Sequence, residues 1–256
     1  MIAHTNAFIK LREQTQATLN FSILMCSAVP FYKENLDIEK RFPGKITFPV
    51  PDYFKGTSKL NDLLEFIKTY KENLSKYVLL SNFSFFEAYV EDAIKEIFKF
   101  HSGAEKMILR AKRLSKESFN IKDKNIIANK RKLQDALDKK KTLKYRTSTR
   151  LLKGLSYKFP CDLMSAYGIL QLEKVSKNFK SFHITDLLNF ALNLDLTNNE
   201  IKMFHDIRNI RNDIAHGNQV SLSIEQTMIY NNFLRDLSVK IDSHIVNHFF
   251  IIEEFI

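Results

Sequence analysis

From Ser58 to about His101 the chain keeps apolar residues three and four apart: Leu60, Leu63, Leu64, Ile67, Leu74, Tyr77, Val78 and Phe85. That spacing follows the turn of an α-helix and commits the stretch to one long helix. Its second half, from Leu79 to Val90, is apolar almost all round, which predicts a place at the centre of a core or an interface. Ser102-Gly103 ends it. A chain built around such a helix is expected to be all-α. The scarcity of Gly (6) and Pro (5) in 256 residues agrees, because tight turns need them.

Other stretches fit the same class. Residues 5–29 predict a helix, and a short second helix follows near 33–41. Phe42 to Pro51 then holds three prolines in nine residues, which forbids a regular helix and marks a connector. The only candidate strand is Ile46–Val50. Further helices are predicted near 161–177, 184–194, 198–216 and 223–248. Thr197-Asn198-Asn199-Glu200 has the form of a capping box, Ser223 to Gln226 forms a second, and Gly217 suits the residue just past a helix end. Leu234, Leu237, Ile241, Ile245 and His248 mark one face of the last helix. Phe249 to Ile256 is apolar apart from Glu253 and Glu254, so the tail is expected to dock.

Charge is unevenly distributed. The net charge is +10, yet residues 105–158 alone hold 18 Lys/Arg against 5 Asp/Glu, or +13, leaving −3 for the remainder. This segment predicts one or two solvated helices with a flexible middle at 115–124. It points to a polyanionic partner, RNA, with Lys130, Arg131, Lys132, Lys139, Lys140, Lys141 and Lys144 on phosphates. Cys26 and Cys161 sit among apolar neighbours and are expected as buried free thiols. No Cys/His set has zinc spacing, and no metal or cofactor is expected. His4, Lys10, Arg12 and Glu13 interrupt any signal-peptide core, and Phe21–Val29 is too short to span a bilayer. A cytoplasmic protein without a membrane partner is expected.

The chemistry concentrates in Arg208-Asn209-Ile210-Arg211-Asn212-Asp213-Ile214-Ala215-His216-Gly217, the pattern R-N-x-x-x-H at a helix end. On an ideal helix His205, Asn209, Asn212 and His216 fall within about 60° of one another, flanked by Arg208. Phe204, Ile207, Ile210 and Ile214 make the apolar side. Arg211 lies about 140° from His216, so the two converge only if the last turn unwinds or if a second copy supplies one of them. His216 lies where the helix dipole favours a cation, and suits a general acid. Arg211 offers a planar fork to phosphate oxygens. Asn212 can orient the imidazole or bind phosphate. Together these groups suit in-line attack of a ribose 2′-hydroxyl on the adjacent phosphate, without a metal. Spacing alone means little: 10 Arg and 7 His give about 0.3 such pairs by chance, so the weight rests on the surrounding pattern.

That surrounding pattern resembles the HEPN superfamily: R-N-x-x-x-H at a helix end, after a long helix carrying Ser84 and Glu87 in an S-x-x-E stretch. The resemblance covers mainly 58–101 and 161–248. It implies a HEPN-like helical bundle over 58–256, with a basic helical insertion at 104–158 and an N-terminal extension at 1–57. It implies a metal-independent endoribonuclease working as a homodimer with a composite site, in toxin–antitoxin or anti-phage systems with an antitoxin or defence protein as partner. Arg211 and His216 would be catalytic with Asn212, and Glu87 would be a supporting acidic residue. Members silenced by nucleotidylation carry Tyr two residues after the His, where this chain has Asn218. The alternative is a non-catalytic HEPN-type module binding RNA, a nucleotide or a protein; a third reading is a helical dimerisation scaffold.

Overall fold

A computed structural model describes residues 3–46, 60–117, 124, 128 and 166–250. Helix α1 spans Asn6–Arg41, α2 Leu60–Phe100, α3 Ala104–Glu117, α4 Ala166–Ser176, α5 Asn198–Ala215 and α6 Ile224–Phe249. Among the described residues there is no strand, and the chain is all-α. The candidate strand at 46–50 lies, beyond Ile46, outside the described residues, as do Cys161 and most of the basic segment. Cys26 is a free, half-buried thiol. No described helix is long and apolar enough to cross a membrane.

Two expectations need correction. Residues 5–41 are one helix rather than two, and Pro30 lies inside it. Proline removes one amide donor from the helical ladder, but packing runs past it: Val29 and Tyr32 are half-buried and Leu36 is fully buried, so the inward stripe continues. The stretch expected as a helix at 184–194 is irregular. A 3₁₀ turn at Ser181–His183 leads into one α turn at Ile184–Asp186, and a π turn follows at Leu187–Ala191. The amide of Leu192 reaches back five residues to the Leu187 carbonyl at 2.8 Å. The wider turn seats Leu187, Leu188, Ala191 and Leu192 in the core.

The described residues form two compact units: one holds the chain up to Leu11, Phe86–Asn209 and Leu234 onward, the other Arg12–Phe85 and Ile210–Phe233. In the first, the Phe86 ring meets Phe204 at 6.0 Å and Tyr89 at 6.1 Å, and Phe8 meets Tyr89 at 6.0 Å. The α6 stripe of Leu234, Leu237, Ile241 and Ile245 is buried as expected. Thr5 caps α1: its hydroxyl oxygen accepts from the Phe8 amide at 3.0 Å, while Glu96 accepts from the Asn6 and Ala7 amides at 3.0 and 2.6 Å. The Thr5 hydroxyl and amide donate to Asp242, a carboxylate only 1% exposed, at 2.6 and 3.0 Å. Phe249 is fully buried and Phe250 stacks on Phe100 at 5.0 Å, so the start of the tail docks; the rest lies outside the described residues.

In the second unit Leu36, Leu74, Val78, Leu79 and Phe83 are buried together with Leu222. Thr227 of α6 donates to the Ser75 carbonyl of α2 at 3.4 Å. The apolar stretch 79–90 leaves no large apolar side chain exposed, and only Ser84 and Ala88 face solvent. This agrees with the expected place of the stretch at the centre of a core or an interface.

Candidate functional site

Helix α5 carries the R-N-x-x-x-H segment, and its ends are set by local chemistry. At its start the capping box forms as expected. The Glu200 amide donates to Thr197 Oγ1 at 3.2 Å, and the Thr197 amide donates to Glu200 Oε2 at 2.7 Å. Lys240 of α6 donates to both Glu200 oxygens, at 2.8 and 3.1 Å, and to the Asp195 carbonyl at 2.7 Å. Burial alone would raise the Glu200 pKa, but the bonds from Lys240 and Thr197 outweigh it and hold the carboxyl below its ordinary value.

At its end α5 stays regular to Ala215, and the His216 amide still bonds the Asn212 carbonyl at 2.9 Å. Gly217 then turns left-handed at φ +76°, donating to the Ile214 carbonyl at 3.1 Å, and the Asn218 amide donates to the Asp213 carbonyl at 2.9 Å. This pair of bonds is the Schellman closure, and it needs a residue tolerant of positive φ. Asn218 Nδ2 adds a bond to Asp213 Oδ1 at 3.0 Å, so the residue standing where a nucleotidylated Tyr would be is a helix-closing group.

Three candidate residues share this end. His216 is exposed, while Arg211 and Asn212 are half-buried. Arg211 Nη1 donates to Asn212 Oδ1 at 3.0 Å, and the guanidinium carbon lies 5.5 Å from the centroid of the buried Phe83 ring. Asn212 is thus engaged with the arginine. The ring face favours the cation and the amide fixes the fork's rotation, so Arg211 is pre-oriented. The last turn does not unwind, and in a regular helix Arg211 and His216 of one chain diverge.

Ser84, in the same unit as Arg211, is exposed and donates back to the Leu80 carbonyl at 2.8 Å. Glu87 is half-buried in the other unit. Arg208, also in that unit, donates from Nη2 to Asn209 at 3.1 Å, and its Nε is buried without a hydrogen bond. His205 Nε2 lies 3.2 Å from Thr185 Oγ1, and its Nδ1 is buried without a partner. Burial first, and the Arg208 charge second, lower its pKa against the opposing pull of Asp186 and Asp206. His244 bonds the Leu192 carbonyl at 2.8 Å, a packing role. Lys130, Arg131, Lys132, Lys139, Lys140, Lys141 and Lys144 lie outside the described residues. Sequence reasoning passed over His183 and its neighbours Lys180, Phe182 and Thr185; an aromatic and a histidine side by side just ahead of an apolar run were the available signal. Among the described residues no cluster of His, Cys, Asp and Glu could hold a metal ion.

The profile of a family described as HEPN_RiboL-PSP (RiboL-PSP-HEPN) matches residues 52–247. Searches of curated proteins and of solved structures return no match.

Proposed function

The chain belongs to the RiboL-PSP-HEPN family, and on that premise we propose that it is a metal-independent endoribonuclease whose site is assembled from two copies of the chain. Membership of a HEPN family supports an RNA-related, nuclease-like module. The reaction, the pairing of chains and the residue roles are the proposal.

The observation that carries it is the end of α5. A pre-oriented arginine and an exposed histidine stand on one closed helix end, and the regular backbone turns them apart. Two helix ends related by a two-fold axis would bring Arg211 of one copy to His216 of the other. There the 2′-hydroxyl oxygen attacks the adjacent phosphorus. The O2′–P bond forms, the P–O5′ bond breaks, and the 2′ proton leaves to a base. Arg211 binds the phosphoryl oxygens as their charge grows, held in place by Asn212. His216 gives a proton to the departing O5′. The nucleophile belongs to the substrate, which is why the chemistry needs no metal. Glu87 and Arg208 are supporting residues in this proposal. Lys130, Arg131, Lys132, Lys139, Lys140, Lys141 and Lys144 hold phosphates along the strand. The setting, a toxin–antitoxin or anti-phage system with its partner protein, belongs to the same reading.

The test is cleavage of RNA in EDTA, with the product ends identified. The expected products carry a 2′,3′-cyclic phosphate and a 5′-hydroxyl. Mixing the inactive Arg211→Ala and His216→Ala proteins should restore part of the activity, because some mixed dimers hold one intact pair. RNA binding without any cleavage would make the chain a binding module and end the nuclease reading.

A further inference from the structure

The turn that precedes the π segment gathers groups that the cleavage reaction does not use. Phe182 presents an aromatic ring that is 51% exposed, tilted against the His183 ring at 3.8 Å between centroids. His183 Nδ1 is buried and makes no hydrogen bond, which leaves Nε2 as the working edge of that imidazole. The charges of Lys180 and Asp186, three residues to either side in the chain, both act on His183. Across the turn, Thr185 Oγ1 lies 3.2 Å from His205 Nε2, tying the turn to α5 one helical turn before Arg208. The Arg208 and Asp186 charges also act on His205, so the same carboxylate influences both imidazoles. All of these residues belong to one compact unit.

A lone exposed phenylalanine is ordinary. Here the turn and the α5 segment it bonds to offer together what an unpaired nucleotide requires: a π face for the base, a donor and an acceptor for its edge, and cations for the phosphates. We propose that Lys180, Phe182, His183 and Asp186, with Arg208 of α5, form a subsite for one unpaired nucleotide of single-stranded RNA. The base stacks on Phe182. Asp186 accepts from an imino or amino N–H of the base, and His183 Nε2 serves the other edge. Lys180 and Arg208 take the flanking phosphates. Burial and the Lys180 charge lower the His183 pKa, so its imidazole is neutral at pH 7 and can donate or accept. The subsite rests on the proposed RNA substrate and adds a demand for an unpaired base, so it predicts that duplex RNA is a poor ligand.

The chain contains no tryptophan, so Phe182→Trp places a single indole on the platform. The full chain carrying this change is titrated with a fluorescein-labelled 2′-O-methyl oligouridylate, which cannot be cleaved. A second titration uses an abasic oligomer of the same length. Indole fluorescence should fall with the base-bearing strand and stay level with the abasic one, while fluorescein anisotropy reports binding of both. In the otherwise unmodified chain, Phe182→Ala should weaken oligouridylate binding roughly tenfold and leave abasic binding unchanged. If oligouridylate binds but the indole does not respond and Phe182→Ala binds equally well, the subsite is wrong while the nuclease reading stands. If the unmodified chain neither binds nor cuts RNA, both fall.

Discussion

The two ends of α5 use their polar groups in different ways. At the start Thr197 and Glu200 are spent on structure: they satisfy each other, and Lys240 clamps the carboxylate to the next helix. At the other end the closure runs through the backbone amides of Gly217 and Asn218, and the Asn218 side chain adds a bond to Asp213. The side chains of Arg211 and His216 take no part in that closure. A helix terminated by its own backbone can offer charged side chains to a ligand without weakening itself. One terminated by side chains cannot. On the proposed function, the C-terminal end is where activity should be lost without loss of fold, and the N-terminal end is where the reverse should hold.

The largest effect expected from this contrast is at His216. His216→Ala should lower RNA cleavage by about 10²–10⁴-fold, the usual contribution of a positioned proton donor, with a urea midpoint near that of the unmodified protein. Arg211→Ala should cost about 10²–10³-fold in the same assay, with a small loss of stability because the guanidinium also covers Phe83. If His216→Ala cuts RNA at the full rate, the C-terminal end is only a terminus and the contrast disappears.

Gly217→Ala addresses the closure itself. An added Cβ would meet nothing within 4 Å, so the cost is purely conformational, from a φ of +76°. Urea unfolding should show a loss of about 1–2 kcal/mol. A neutral result would mean that the closing turn can rearrange. At the other end, Thr197→Ala should cost about 1 kcal/mol and leave cleavage per folded molecule unchanged.

The smallest effect concerns pH. The folded Glu200 carboxyl titrates below its ordinary value, so the stability it contributes is fully present above the unfolded value and lost as pH falls through the folded one. Lys240→Met should flatten the acid side of a urea-midpoint profile. An identical profile in the variant would show that the clamp contributes no net stability.

Both ends of α5 were legible in the sequence because their signals are local. A capping box and a C′ glycine act within one turn, and the α2 and α6 stripes follow from helical periodicity. What the sequence hid depends on side-chain rotamers and on distant partners. The bond from Arg211 to Asn212 leaves no mark in residue spacing, and neither does its contact with Phe83. The π turn at Leu187–Ala191 follows from where the core accepts four apolar side chains, and an apolar run cannot announce that. The continuity of α1 past Pro30 was missed for a related reason. Proline has a fixed local cost, but Leu36 and its neighbours offset it through packing that is not written at position 30.

Asp242 also bears on the order in which the molecule is made. Thr5 caps the first helix, and its own hydroxyl and amide are satisfied by a carboxylate 237 residues later. A growing chain leaves the ribosome from its N-terminus, so α1 waits without this partner until α6 has emerged. Closing so long a loop is entropically costly and slow, and it comes late in folding. A fragment that stops short of Asp242 holds the whole R-N-x-x-x-H segment yet lacks the contact that fixes its first helix. For a protein proposed to cut RNA, this would delay a finished fold until α6 has been made.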